Sequence, residues 1–409
     1  MRVLFITWET YPLKSATSNC LMAIISELSK QKIESDILNI TGDILLPKET
    51  IHDKVKFINI FDSQFANVRL LFKKNPILAA KIIIKKIHAR FEKQNDENAI
   101  SKKTYSNISK KISEFGNDYD AFVAVCSHIM NGLICDDYCT HNAKKYLLYQ
   151  VDPIGTNISY HNANSMRDIE LKLYKSANYI ITTPILAKEK ENDPLYSDCQ
   201  GKLYIAEFPN IKNLVRQDNE NNNRKPIICF YSGRFYNGVR DCRYTLDVLC
   251  KISSVDFHLV FAGDGQEDLI EYYKKRYFKS RLDHLGMLNL SESFMKMQEA
   301  DVLINIGNNV TNQVPSKLFD YISTGKPIIN FCKSKECPTI PYIERYGLGI
   351  NIIEGEESIE RQAQIVSQFI MENNKKRIKY EEIEERFIEN TPEYVGSIFA
   401  NLLEKIIIS

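Results

Sequence analysis

A chain of 409 residues exceeds what one hydrophobic core usually organises, so two domains of about 100 to 200 residues each are expected. With 44% hydrophobic and 26% charged residues, and 53 basic against 52 acidic side chains for a net charge of +1, the composition excludes a disordered chain and a dominant nucleic-acid surface. Ten cysteines occur without a C-x-x-C pair, and Cys135 with Cys139 lacks the further ligands of a zinc site, so free buried thiols in a reducing cytosol are expected.

The opening MRVLFITWET is too short an apolar core for a signal peptide, and no uncharged run approaches the ~18 residues of a membrane span. A cytoplasmic protein is expected. Val3 to Thr7 reads as a buried strand, and after a polar loop from Trp8 to Asn19 the residues Leu21, Ile24, Ile25 and Leu28 repeat at helical spacing. Ile37 to Ile40 is the next strand. This β-α-β opening predicts a parallel sheet, whose ligand loops lie at the carboxyl ends of the strands.

Residues 71–93 carry Lys73, Lys74, Lys81, Lys85, Lys86, Arg90 and Lys93 among apolar residues. On a helical wheel Ile77, Ala80, Ile84, Ile87 and Phe91 share one side, and the cations fill most of the other with Leu78 and Ile82. Such a helix suits an anionic membrane surface at the inner face of the membrane; the plainer reading turns its apolar stripe to the core and its cations to water.

Further strands are expected at Ala121 to Val125, Tyr146 to Tyr149, Tyr179 to Thr182 and Tyr204 to Ala206. The first of these runs into Cys126, Ser127 and His128, which makes His128 a candidate for substrate contact beside its plainer structural role. The stretch VRQDNENNNRKP between Val215 and Pro226 has almost no apolar residues and reads as the linker, 216–226. A second β-α series follows, with strands at Ile227 to Tyr231, Phe257 to Phe261, Val302 to Ile306 and Lys326 to Phe331. Val395, Ile398, Phe399, Leu402 and Ile406 mark a final amphipathic helix.

Three loops of this second series carry polar chemistry. YSGRFYNGVRD follows a strand and holds Gly233, Arg234, Gly238 and Arg240; glycine lets backbone approach a ligand, and arginine suits paired phosphate oxygens. FAGDGQE brings Gly263, Asp264 and Gly265 to the same edge of the sheet. The third, TNQVPSKLFDYISTGKPII at 311–329, reads as loop, short helix, turn and strand, with Ser316 at the N-cap and Gly325 at the stop. That helix start would offer free backbone N–H groups to a phosphate, Lys317 would add charge, and Asp320, one turn on, can accept two hydrogen bonds from a ribose diol.

Taken in order, GRFYNGVRD, AGDGQE, Leu285 with Gly286, EADV at 299–302, PSKLFDY and GKPII resemble the nucleotide-binding half of GT-B glycosyltransferases, notably the retaining family 4 group in its P-S-K-L form. The resemblance implies an α/β fold of two doubly wound Rossmann-like domains facing across a cleft. It implies an acceptor-side domain over 1–215, rejoined by a C-terminal crossover helix at 391–409, and a nucleotide-sugar-binding domain over 227–390. The activity implied is transfer of a sugar from a nucleotide diphosphate sugar, UDP above all, to a lipid-linked or polysaccharide acceptor, with retention.

By the same resemblance Arg234 with Arg240 or Lys317 would hold the diphosphate, Asp320 the ribose, and His128 the sugar or the departing oxygen. Gly233, Gly263, Asp264, Asn312, Pro315, Ser316 and Leu318 complete the expected donor contacts. Asn312 stands eight positions before Asp320, where the family carries an acid, and PLKSATSN replaces its first-loop Gly-Gly. Arginine, lysine and a helix amino terminus can stabilise the leaving diphosphate without a metal, so no metal or other cofactor is expected. A nucleotide-sugar epimerase of the same fold, and a noncatalytic nucleotide-sugar or glycan-binding protein, are the alternatives.

Overall fold

The computed structural model describes residues 1–8, 16–62, 68, 71–72, 75–91, 102–126, 128–156, 163–215 and 226–408. Residues 12–15 of the first loop, Lys73, Lys74, Lys93, Ser127 and the linker residues 216–225 lie outside them, as do the side chains of 85–91. Contacts divide the chain into two compact units, Met1–Pro209 with Pro392–Ser409, and Asn210–Thr391. Residues 210–215 go with the second unit, to which they are tied: Lys212 N donates to Ser323 Oγ at 3.3 Å and Gln298 Nε2 to Leu214 O at 2.9 Å.

The first unit is built on β1 (Arg2–Trp8), β2 (Glu34–Thr41), β3 (Glu49–His52), β4 (Val55–Phe61), β5 (Ala121–Val125), β6 (Tyr146–Gln150), β7 (Tyr179–Thr182) and β8 (Leu203–Ile205). These lie in the order β3-β4-β2-β1-β5-β6-β7-β8, parallel except for β3, which runs antiparallel to β4. The order reverses between β1 and β5, the switch point of a doubly wound sheet. Helix Ala16–Lys30 buries Leu21, Ile24, Ile25 and Leu28 at the spacing the sequence shows. It packs against the helix Pro392–Ile408, whose Val395, Phe399, Leu402 and Ile406 are buried in the same unit.

The helix Pro76–Phe91 departs from the plainer of its two readings, in which the apolar stripe faces the core. Among its described side chains Ala79 and Ile82 are buried, packed with Leu71, while Ile77 and Ile84 of the expected stripe are 72% and 55% exposed. The partly buried Leu78 and the buried Ile82, which the wheel places among the cations, are on the side that meets Phe61 and Val68.

The second unit carries β9 (Ile227–Ser232), β10 (Phe257–Ala262), β11 (Leu282–His284), β12 (Val302–Ile306), β13 (Ile328–Cys332) and β14 (Gly349–Ile353). All neighbours pair in parallel in the order β11-β10-β9-β12-β13-β14, with the reversal between β9 and β12. Buried asparagines at matched register hold part of this sheet: Asn305 donates to Asn330 at 2.7 Å and Asn330 to Asn351 at 2.8 Å. An amide buried in a sheet costs free energy unless paired, and in-register amides pair one another. Asn330→Ala strands the Asn305 amide and is expected to lower stability by about 2 kcal/mol, read from the urea midpoint.

Candidate functional site

In the first unit the switch point brings the end of β1 beside the end of β5. His128 follows β5, occupies the N-cap of helix Ile129–His141 and accepts from Met130 N through Nδ1 at 3.3 Å. Its ring lies 5.7 Å from that of Trp8, the last residue of β1. Burial lowers its pKa to about 4, so at neutral pH it is an uncharged hydrogen-bonding group. Trp8 ends β1 instead of opening the polar loop expected from residue 8; its place at a strand end next to the switch point is the available signal.

In the second unit the loops after β9, β10, β11 and β12 are stitched into one rim by their backbones. Gly233 N donates to Ala262 O at 2.8 Å, Phe235 N to Asp264 O at 2.9 Å, Gly263 N to Gly286 O at 2.7 Å and Asn309 N to Val239 O at 2.6 Å. Gly263 has φ +147°, and a Cβ there would stand 1.9 Å from the Gly233 carbonyl oxygen, so no larger residue fits without moving the loop that carries Arg234.

Each cation of the rim has a fixed resting partner. Arg234 makes a two-point contact with Asp264, Nε to Oδ1 at 2.7 Å and a terminal nitrogen to Oδ2 at 2.5 Å, and this pairing holds the Asp264 carboxyl below its ordinary range. The guanidinium has five N–H donors, so donors remain for a ligand on its exposed side. Arg240 places two N–H groups on the buried Asn308 Oδ1, at 2.9 and 2.7 Å. Lys317 Nζ lies 3.4 Å from Ser293 Oγ, which is 2.8 Å from Ser232 Oγ at the end of β9. Ser232 N donates to Tyr321 Oη at 2.7 Å, joining the same strand end to the helix Lys317–Ile322. Asn308, Ser293, Ser232 and Tyr321 escaped the sequence reading; each is an unremarkable residue until the fold sets it beside a cation or a strand end.

The stretch 311–329 folds as loop, helix, turn and strand, with a correction at the helix start. Ser316 occupies the N-cap position but has helical backbone angles, φ −59° and ψ −23°, and its hydroxyl makes no capping bond. Leu318 N and Phe319 N are already donated to Pro315 O and Ser316 O, at 3.0 and 3.1 Å. The tight turn therefore uses amides expected to be free, and an anion would be met mainly by side chains. Leu318 is fully buried, so its side chain is core; Pro315 is buried as well. Asp320 stays 19% exposed, 3.7 Å from Lys317 Nζ. Burial raises the Asp320 pKa against the opposing pull of Lys317 and Lys212. Gly325 ends the segment at φ +72°, where a Cβ would meet Ile378 O at 2.3 Å. Asn210, of the Pro209–Asn210 pair, donates to Ser316 O at 3.3 Å.

The structure thus gathers Gly233, Arg234, Arg240, Gly263 and Asp264 on a hydrogen-bonded rim, joined through Ser232, Ser293 and Tyr321 to the helix that carries Lys317 and Asp320. His128 belongs to the other unit. No protein-family model matches the chain, and no curated protein matches it by sequence. Solved structures do match over the whole length. Sucrose-phosphate synthase from Thermosynechococcus elongatus aligns over 100% of this chain and 99% of its own, at TM-score 0.69 and 12% identity. The lipopolysaccharide outer core galactosyltransferase WaaB aligns over 99% of both chains at TM-score 0.61 and 14% identity, and the S. aureus MnaA–UDP complex over 100% and 97% at TM-score 0.55 and 10% identity. The fold is that of the GT-B glycosyltransferases, with two parallel-sheet Rossmann-like domains. Among the described residues no helix is long and apolar enough to cross a membrane.

Proposed function

We propose that the chain is a glycosyltransferase of the retaining family 4 kind, moving a sugar from a nucleotide diphosphate sugar to a lipid-linked or polysaccharide acceptor. The rim of the second sheet carries this reading: three cations and two carboxylates, Asp264 and Asp320, on loops tied together at the carboxyl ends of β9, β10 and β12, suit a diphosphate and a ribose at the switch point. Departure of the nucleotide diphosphate develops negative charge on its oxygens. Arg234, Arg240 and Lys317 meet that charge from positions already fixed by Asp264, Asn308 and Ser293, so little reorganisation accompanies reaction. These cations supply the electrophilic help themselves, so the reading calls for no resident metal.

Asp320 takes the ribose hydroxyls, and His128, uncharged at the switch point of its own sheet, offers a hydrogen bond to the substrate. UDP is the nucleotide of choice, in keeping with the UDP held by the similarly folded MnaA. A cytoplasmic protein resting on a membrane face is in keeping with the exposed Ile77 and Ile84 beside Lys81 on the helix Pro76–Phe91.

Calorimetry with UDP tests the site. Loss of the charged hydrogen bonds in Asp320→Ala is expected to weaken binding about tenfold to a hundredfold; unchanged affinity would show that the ribose sits elsewhere. A second reading, nucleotide-sugar binding without transfer, draws on Asn312, an amide where related enzymes carry an acid. Tight UDP-sugar binding with no sugar passed to any extracted lipid or glycan acceptor would favour it.

A further inference from the structure

Away from the rim, helix Glu267–Tyr273 continues into a π-helical turn, Lys274–Phe278, beside β11, the edge strand of the second sheet. The sequence there is EYYKKRYFKSR, a concentration of cations in a chain of net charge only +1. A π turn is wider than an α turn, so residues five apart come toward one face. Tyr273 and Phe278 accordingly turn inward and are buried, while Tyr272 and Tyr277 turn outward together, 50% and 41% exposed, with ring centroids 6.3 Å apart.

Cations surround the outward pair. Arg276 lies 5.7 Å from the Tyr277 ring centre, and Lys275, Arg276 and Lys279 are exposed. Three acids meet this segment: Glu271 at 3.1 Å from Lys275, Asp283 at 3.7 Å from Lys274, and Asp247, which accepts from the buried Tyr273 hydroxyl. Lys279 holds the turn at φ +53°, a conformation that costs free energy in a residue with a side chain.

We propose that the Tyr272–Lys279 surface of the second unit docks on an anionic lipid membrane, the two tyrosine rings entering the headgroup layer and Lys275, Arg276 and Lys279 lying among the phosphates. Tyrosine is amphipathic and concentrates at membrane–water interfaces, and each basic residue near an anionic surface adds attraction. The outer face of a helical turn at a sheet edge is convex, which suits a lipid layer, whereas a glycan or nucleotide is normally gripped in a concavity. The two rings meet edge to face at 72°, so they do not form parallel platforms for successive nucleic-acid bases. This surface is on the second unit, the helix Pro76–Phe91 is on the first, and the proposal does not depend on the donor-site reading.

Flotation of the full chain with vesicles of phosphatidylcholine, with and without phosphatidylglycerol, tests the proposal. Wild type is expected to float with the anionic vesicles and to be released by salt. Arg276→Gln with Lys279→Gln, and separately Tyr272→Ser with Tyr277→Ser, are each expected to lower the partition coefficient about tenfold or more. Unchanged circular dichroism confirms that these exposed substitutions leave the fold intact. No flotation of wild type, variants that float like wild type, flotation lost only in Ile77→Ser with Ile84→Ser, or tighter binding to an oligonucleotide or an anionic glycan than to vesicles would each overturn it.

Discussion

Replacing Lys190 by methionine is expected to destabilise the first unit by about 3 to 5 kcal/mol, the cost of leaving a buried charge without its partner. The Lys190 ammonium is fully buried, 2.7 Å from Glu170 Oε2 and 4.7 Å from the Tyr196 ring centre, and the Glu170 side chain has no exposed surface. Tyr196 Oη donates to Glu170 Oε2 at 2.6 Å and Gln150 Nε2 to Oε1 at 2.7 Å, so the carboxylate is fully engaged. Burial alone would raise the Glu170 pKa, but Lys190 and these donors outweigh it, and the group sits below its ordinary value of 4.5.

The sign of the pH dependence follows from that direction. A depressed carboxyl contributes stability that is present above its unfolded pKa and lost as pH falls through the folded value. In Lys190→Met the same carboxyl is buried without a cation, its pKa rises, and protonation relieves the cost. The deficit of the variant relative to wild type is therefore expected to shrink as pH is lowered toward 4.5, measured by urea unfolding across that range. Adding Glu170→Leu to Lys190→Met is expected to recover most of the loss, since removing both charges removes the desolvation cost. A deficit in the single variant that does not change with pH would mean that lost packing, not charge, was the cause.

Gly263→Ala is expected to abolish nucleotide binding and to cost about 3 kcal/mol or more in the second unit. Two costs act together there: the backbone lies at φ +147°, and the added carbon would overlap the Gly233 carbonyl, 1.9 Å away. The loop after β9 must then move, and Arg234 moves with it, away from Asp264. Gly238→Ala is the matched comparison, because Gly238 also has positive φ, +78°, but nothing lies within 4 Å of its new carbon. It is expected to lose only about 1 to 2 kcal/mol, the intrinsic cost of the left-handed region, and to keep UDP affinity within a few-fold. Equal effects in calorimetry would show that backbone strain alone, not the contact between the two loops, sets the rim.

Much of the architecture was legible because its signals are local. Strands such as Val3–Ile6 and Val302–Ile306 are fully buried and read as unbroken apolar runs. The helices Ala16–Lys30 and Pro392–Ile408 show their buried face at helical spacing. β4, VKFINIF, and its antiparallel neighbour β3 were passed over, since an apolar run broken by polar residues signals a strand weakly, and β3 lacks alternation outright. For the helix Pro76–Phe91 the wheel offered two overlapping apolar sides, and only the position of Leu71 and Phe61 selects the one that is buried.

The sequence by itself determined the alternation of strands and helices, the carboxyl-edge loops with their glycines and cations, and the place of Lys317 and Asp320 on one short helix, because all of these depend on residues within a few positions of each other. Only the tertiary structure decided which partner each group has. Arg240 and Asn308 are 68 positions apart, Lys317 and Ser293 are 24, and Glu170 and Lys190 are 20. No periodicity links such positions: they meet because strand order and register bring distant loops to the same edge of a sheet.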